Sequence, residues 1–571
     1  MKASDYVADF LHAQGVEHVF EVIGGMITHL IDSLHNRGKI KIVSMHHEQA
    51  AAFAADSMGR LRGIPGVAMA TSGPGATNLL TGIGSCYFDS SPALFITGQV
   101  NSYEQRGKRL VRQFGFQETD IAAMAAPITK ATMRVTTTEH LPSAMEKAFR
   151  IMLSDRPGPV LVDIPMDIQR ANINFPKPTR IKVEERQPVA GKKIDEVLTA
   201  LNNSQRPLIL AGGGVRSSRS IPLIRRFIEA SGVPTVYSLM AVDTLPYGHP
   251  LQVGMIGSYG NRWANLAIGR ADFLLVIGSR LDIRQTGADT ESFRKDRLIY
   301  HVDCDPAEIN NRVGGCHAVN ADINDFLSAA LKWKKQFYSR KDWLREIDRM
   351  RSQWPDTAEL HRIKGINPNV FMHQLSVTSQ KALVHLTDVG QHQMWAAQSL
   401  RLHSGQQFIT SGGMGAMGFS LPAAIGAAFA YPHKPHVVIA GDGGFQLNIQ
   451  ELETVVHHNL PIKMVILHNN CLGMVRQFQE SYFKSVYRST YWGYSAPDFA
   501  RIAKAYGIDA ARVDKPSNVN RALQKMWSRP LRPFLLEVKI GEFVNTYPKI
   551  AFGRPMTDME PLAKPVEMEG T

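Results

Sequence analysis

Two apolar runs late in the chain stop on residues that a strand does not need for its own stability. "HVVIA" (436–440) runs into Gly-Asp-Gly-Gly (441–444), and "IKMVILH" (462–468) runs into Asn469 and Asn470. Short, nearly unbroken apolar runs bounded by turn residues fit strands buried on both faces of a parallel sheet. "IQELETVVHHN" (449–459) between them supplies a helical crossover. If the two strands are parallel neighbours, Asp442 and Asn469 arrive at the same carboxyl edge, where open α/β sheets bind ligands. A carboxylate and an amide oxygen are hard donors suited to Mg²⁺ or Ca²⁺. Gly441, Gly443 and Gly444 let the backbone approach a diphosphate closely.

The same strand-then-helix alternation recurs along the chain. "HVFEVIGG", "PGVAMATSGPGATNLLTGIGSCY", "PALFITGQV" and "GPVLVDIP" mark a first unit over 1–175. "RPLILAGGGV", "VPTVYSL", "ADFLLVIGSR" and "RLIYHVDCDP" mark a second over 188–340, behind a Pro- and charge-rich linker at 174–188. A third unit spans 360–551, and residues 552–571 form a wrapping tail. The expected fold class is α/β, with three doubly wound parallel-sheet domains. At 571 residues the chain is too long for a single core.

Charge and cysteine usage narrow the function. The formal charge is +13, but basic residues are dispersed. Their densest cluster, "YSRKDWLREIDRMR" (338–351), alternates in sign and reads as a solvated helix rather than a nucleic-acid face. The excess still favours anionic substrates. No apolar stretch of about eighteen residues argues for a membrane span, and the first twenty residues mix acids with apolar groups, unlike a secretory signal. Cys86, Cys304, Cys316 and Cys471 are far apart and form no CxxC, which fits the reducing cytosol. His46 and His47, adjacent on a strand, face opposite ways and are read as structural.

Gly-Asp-Gly followed at this distance by asparagine resembles the signature of thiamine diphosphate enzymes. Further blocks extend the resemblance over nearly the whole chain: "HHEQAAAFAADSMGR", "TSGPGATNLLTGIGSCYFDSSPALFITGQV", "FGFQETD", "DVGQHQMWAA", "SGGMGAMGFSLPAAIGA" and "LGMVRQFQE". Together they resemble the acetolactate synthase (acetohydroxyacid synthase) group. The resemblance makes Glu48 the carboxylate that hydrogen-bonds N1′ of the aminopyrimidine and promotes removal of the thiazolium C2 proton. It places Gly25 with the cofactor, and Val389, Gly390, Gln391 and His392 on the diphosphate. Gly415, Met417 and Met474 go to the cofactor as well, Met417 as the apolar wedge beneath it. Magnesium falls to the side chains of Asp442 and Asn469 and the backbone carbonyl of Cys471. Phe116 and Gln117 line the reaction pocket.

In the central unit, "GSRLDIRQTG" (278–287) resembles the flavin block of the group. It implies a structural FAD near Gly213, Arg280, Asp303 and Asp305, while Arg284 meets the acceptor's carboxylate. Because Glu48 and Asp442 lie in different units, the resemblance implies a homodimer at least, and a homotetramer as the larger form. It leaves a regulatory subunit unassigned.

The implied reaction decarboxylates pyruvate and transfers its two-carbon unit to a ketone. Phe478 stands where the biosynthetic members carry Trp, Ser258 and Tyr259 where Met and His are usual, and "FEVIGGMI" replaces a Tyr-Pro pattern. These departures surround the acceptor. They resemble the branched-chain-sugar carboligases of the yersiniose type, whose acceptor is a 4-keto nucleotide sugar rather than a 2-oxo acid. A non-ligating 2-oxo acid decarboxylase and a flavin-dependent pyruvate oxidase are the alternatives.

Overall fold

The computed structural model describes residues 1–172, 174–182 and 188–567. Most of the second half of the linker expected at 174–188 lies outside the described residues. Three six-stranded parallel sheets organise the chain, each flanked by helices on both faces. The first contains β1 (His18–Val22), β2 (Lys41–Ser44), β3 (Gly66–Ala70), β4 (Ala93–Gln99), β5 (Ala131–Arg134) and β6 (Val160–Pro165). The second contains β7 (Pro207–Ala211), β8 (Thr235–Tyr237), β9 (Gln252–Met255), β10 (Phe273–Ile277), β11 (Leu298–Asp303) and β12 (His317–Asn320). The third contains β13 (Val384–Thr387), β14 (Gln407–Thr410), β15 (His436–Gly441), β16 (Ile462–His468), β17 (Ala510–Val513) and β18 (Phe534–Lys539).

The first sheet runs β2-β1-β3-β4-β6-β5 and the third β14-β13-β15-β16-β18-β17. Counted within each domain, the two orders are the same. The second runs β12-β11-β10-β7-β8-β9, which is the dinucleotide-binding order with its reversal between β7 and β10. Strands β15 and β16 are parallel neighbours in register, Gly441 opposite Leu467, so Asp442 and Asn469 do emerge at one edge.

The domains share their cores. Helix Glu48–Arg62 of the first domain lies against helix Ser420–Ala430 of the third. Contact this close needs small side chains: a Cβ on Gly426 would sit 2.2 Å from the Ala54 carbonyl oxygen. Phe53 and Phe419 meet edge-on at 5.4 Å across the same seam, each contributing about 1.5–3 kcal/mol by burial. A second apolar cluster joins Phe227 and Val242 of the central domain to Trp395 and Phe408 of the third. Helix Lys341–Gln353 is more than the solvated rod expected of its charges, since Trp343, Ile347 and Met350 are buried against the central domain. The tail folds back as an antiparallel pair, β19 (Lys549–Ile550) and β20 (Met559–Glu560). No helix among the described residues is long and apolar enough to cross a membrane.

Candidate active site

At the carboxyl edge of the third sheet, three loops converge. Asp442 opens helix Asp442–Gln446 and is almost fully buried. Its Oδ1 accepts from the Gly443 amide at 2.8 Å and its Oδ2 from the Asn470 amide at 2.7 Å, which ties the β15 loop to the β16 loop. Burial raises the Asp442 pKa, while His468, 3.8 Å away, opposes the rise. Tyr494 is pushed upward too, by burial first and then by the Asp442 charge.

The two asparagines separate clearly. Asn470 has a left-handed backbone (φ 53) and its Oδ1 accepts from the Ala496 amide at 3.3 Å. Asn469 Oδ1 accepts at 3.3 Å from the Cys471 amide, and its amide nitrogen lies toward Gly473 and Gln391. A Cβ on Gly473 would be 2.8 Å from Asn469 Nδ2 and 2.0 Å from Gln391 Oε1. The Cys471 thiol donates to the Glu542 carbonyl at 3.2 Å, so its sulfur is engaged elsewhere.

The loop after β13 closes the cradle. Gln391 and His392 begin helix Gln391–Ser399 behind Val389 and Gly390. Gln391 Oε1 and His392 Nε2 are buried without a hydrogen-bond partner. Burial holds the His392 pKa well below the ordinary imidazole value, so the ring is neutral. A Cβ on Gly441 would fall 2.8 Å from His392 Nδ1. Buried orphan acceptors and donors beside a glycine-cleared edge are what a polar ligand would satisfy. Asp388 fixes the remaining wall. It accepts from the Gly418 and Ser420 amides at 2.9 Å each and from Ser420 Oγ at 2.8 Å. That holds the loop bearing Gly415 and Met417 beside Gly443, where a Cβ would be 3.3 Å from Met417 Cε. Met474 sits half-buried in the first turn of helix Gly473–Tyr482.

The first sheet carries a second cluster. Glu48 is buried at the start of its helix, capped by His47, whose Nδ1 accepts from the Gln49 amide at 3.1 Å. Glu48 Oε2 accepts from Asn78 Nδ2 at 2.9 Å. Gly75 leaves clearance beside Oε1: a Cβ there would be 3.1 Å away. Gln117, itself left-handed (φ 64), packs on the same loop, its Cβ 3.0 Å from where a Cβ on Gly73 would stand. Gly25 is exposed, with open space where a Cβ would stand, between Gly24, which packs on Thr71, and Met26, whose amide donates to Thr71 Oγ1 at 3.2 Å. Phe116 is 79% exposed. His46 Nδ1 bonds Thr454 Oγ1 at 3.0 Å, tying the first domain to the third. No hydrogen bond or ion pair joins Glu48 to Asp442 among the described residues.

A third feature is a cavity of about 1410 Å³ between the three domains, larger than the roughly 300–1,000 Å³ of ordinary small-molecule sites. Gly213 follows β7 and Arg280 follows β10, on either side of the reversal point, and both line it with Asp303, Arg284, Val389 and Gly415. Asp303 accepts from the Asp305 amide at 2.9 Å, and its pKa is raised by burial. Asp305 faces Arg156 of the first domain at 3.8 Å. Arg280 pairs loosely with Asp282 at 3.4 Å. The exposed guanidinium of Arg284 makes no hydrogen bond or ion pair among the described residues.

Three family models cover the chain. The N-terminal TPP binding domain of thiamine pyrophosphate enzymes matches 1–124, the central domain 194–330, and the C-terminal TPP binding domain 388–538. Full-length relatives agree. The acetolactate synthase isozyme 2 large subunit of Escherichia coli K12 is 37% identical over 98% of this chain and 99% of its own length. The chain belongs to the acetolactate synthase large-subunit family of thiamine pyrophosphate enzymes. The acetolactate synthase large subunits of Lactococcus lactis and Corynebacterium glutamicum are 36% and 34% identical, over 97% and 98% of this chain and 95% and 90% of their own lengths. Membership makes the protein a thiamine-diphosphate-dependent transferase that forms carbon–carbon bonds.

Some residues that shape the site escaped the sequence reading. Asp388 and Asn78 sit inside quoted motifs, "TDVG" and "GATN", where a polar residue in a turn looks ordinary. Arg60 and Asp89 carried no signal because their meaning lies in one contact. Arg60 is buried with Asp56 at 2.6 Å and Asp89 at 2.9 Å, and donates to the Thr410 carbonyl at 2.8 Å. Asp89 in turn accepts from the Gly412 and Gly413 amides at 3.1 and 2.6 Å. The first domain thereby holds the loop that carries Gly415 and Met417.

Proposed function

We propose that the protein decarboxylates pyruvate and joins the two-carbon unit to the ketone of an acceptor, either a second 2-oxo acid or a 4-keto nucleotide sugar. The observation that carries the reading is the convergence of Asp442, Asn469, Gln391 and His392 at one sheet edge, with hard oxygen donors beside buried, unpartnered polar atoms. These residues, with Val389, Gly390, Gly441, Gly443 and Gly444, would hold thiamine diphosphate and Mg²⁺, the metal on Asp442, Asn469 and the Cys471 carbonyl. When bound, the cofactor supplies an electron sink for the carbanion left by decarboxylation. Gly415, Met417 and Met474 would brace it.

Glu48 would exchange a proton at its Oε1, the oxygen that Asn78 leaves unengaged. In this reading Glu48 comes from one subunit and Asp442 from another, so a homodimer is the smallest complete enzyme and a homotetramer its larger form. Phe116, adjacent in sequence to Gln117 of the first cluster, is 79% exposed, and an interface would cover it. Gln117 would donate to the alkoxide that forms at the acceptor, and Phe116 would keep water away. The large cavity would take FAD as a structural group on Gly213, Arg280 and Asp303. The dinucleotide strand order supports that assignment. Four free cysteines fit work in the cytosol.

Arg284 would meet an acceptor carboxylate or phosphate, and Phe478 would face the rest of the acceptor. The names of the relatives favour the 2-oxo acid, while Phe478, Ser258 and Tyr259 favour the sugar. Incubation with pyruvate alone, then with added 2-oxobutyrate, a cyclic ketone or a 4-keto nucleotide sugar, separates these. The proposal expects CO₂ release matched by a carbon–carbon-joined product. Acetaldehyde alone, or stoichiometric oxygen uptake, would overturn it. Acetolactate as the fastest product would eliminate the sugar branch.

A further inference from the structure

The C-terminal tail buries an ion pair at an unexpected place. Lys549 and Glu560 are 8% and 6% exposed and pair at 3.0 Å across the β19–β20 ladder. Burying two charges is costly, and an apolar pair of the same shape usually serves stability as well. A buried pair therefore calls for a reason other than stability.

Its surroundings supply one. Lys549 Nζ lies 4.9 Å from the ring centre of Tyr482 and 3.5 Å from its hydroxyl. Tyr482 follows Phe478 by one helical turn, with ring centres 4.8 Å apart, and also meets Phe552 of the tail at 6.3 Å. On the other side, the Ile550 amide donates to the Ser258 carbonyl at 2.8 Å, and the Ser258 amide donates to the Arg284 carbonyl at 2.6 Å. Tyr259, next in sequence, is buried on the cavity wall. Arg262 fastens the far end of the tail, donating to the Glu560 carbonyl at 3.1 Å. The ion pair thus stands between the helix of Phe478 in the third domain and the loops of Tyr259 and Arg284 in the central domain. Burial pushes the hydroxyls of Tyr482 and Tyr259 up to about 12, so both remain neutral.

We propose that Lys549, Glu560 and Tyr482 are positioning residues for acceptor choice. They clamp the tail between Phe478 and the Tyr259/Arg284 wall and so fix the width of the acceptor pocket. The proposal rests on the reading of Arg284 and Phe478 as acceptor-facing. Removing one partner leaves a buried charge that must move or draw in water, and the movement reaches both walls. Neighbouring groups coupled in this way change one another's effects by several-fold.

The test uses the full-length protein with thiamine diphosphate and Mg²⁺, supplied with pyruvate and 2-oxobutyrate together, and measures the ratio of the two ligated products. The variants are Lys549→Met, Lys549→Arg, Tyr482→Phe and Phe478→Ala. The two acceptors share their carboxylate and differ by one methylene, so the ratio reads the apolar wall at Phe478. The ratio is internal to each sample, so partial loss of folded protein does not move it. The expected result is a shift of about threefold or more in Lys549→Met and Phe478→Ala, a smaller shift in Tyr482→Phe, and recovery in Lys549→Arg. If Lys549→Met folds too poorly to assay, Tyr482→Phe decides. A shift in Phe478→Ala with none in Lys549→Met or Tyr482→Phe overturns the clamp and leaves the acceptor reading standing. No shift in any variant, Phe478→Ala included, overturns both.

Discussion

The first and third domains have one strand order and two kinds of edge. After β3 the chain reads Thr71-Ser72-Gly73-Pro74-Gly75; β15, its counterpart in order, ends on Gly441 and is followed by Asp442-Gly443-Gly444. After β4 come Val100 and Asn101, while after β16 come Asn469 and Asn470. The third edge brings a buried carboxylate, an amide and orphan polar atoms to one point. The first edge has orphan atoms of its own, Ser72 Oγ and Asn101 Oδ1, but no carboxylate directly after β3 or β4; instead β2 leads to Glu48, whereas β14, its counterpart, leads to a glycine-rich loop. The lesson is that the sheet supplies a place and the residues at the strand ends supply the chemistry. In the proposed reading, the duplicated scaffold lets one domain grip the cofactor and the other move its proton.

The largest effect should come from the proton-moving half. Glu48→Gln keeps the size and the contact with Asn78 but removes the titratable oxygen. Exchange of the cofactor C2 proton should fall by about 10²–10⁴-fold, with thiamine diphosphate binding retained. Exchange at the wild-type rate would show that the first domain contributes no catalytic group.

A smaller effect tests how the halves are joined. Asp89→Asn weakens the grip of the first domain on the Gly412 and Gly413 amides, although Asp56 still faces Arg60. A loss of about 2 kcal/mol in unfolding free energy is expected, together with weaker cofactor binding by titration, because the loop carrying Gly415 and Met417 is freed. Lost stability with unchanged cofactor affinity would make the Arg60/Asp89 node a fold contact only.

The subtlest contrast is with pH. Burial depresses His385 in β13 to about 3 and His436 in β15 to about 4, and His392 on the helix that follows β13 is neutral as well. Above the unfolded imidazole value of about 6.5 these groups are neutral in both states and cost nothing. As pH falls below it, the unfolded chain binds protons that the folded domain refuses, so stability is lost progressively toward pH 4. Hydrogen exchange between pH 7 and 4.5 should show the third domain opening before the first. The reverse order would place the acid sensitivity elsewhere.

Much of this was legible in the sequence, for a physical reason. Strand ends such as Asp442 and Asn469 stand out because buried apolar runs frame them, and β15 and β16 were expected as parallel neighbours. The matching strand order of the first and third sheets was not legible, because the register of a sheet leaves no mark once its side chains diverge. Contacts between distant elements were equally silent. Arg60 with Asp89, and Lys549 with Glu560, are ordinary charged residues until folding buries them together.

The most direct test of the divided site is subunit complementation. Glu48→Gln and Asp442→Ala proteins, each inactive as a homodimer, are mixed and allowed to exchange subunits. If the first domain of one subunit completes the third domain of another, half of the dimers are mixed and each holds one intact site. Activity should then return to about one quarter of the wild-type level. If Glu48 and Asp442 serve the same site within one subunit, every site in the mixture lacks one group, and no activity will return.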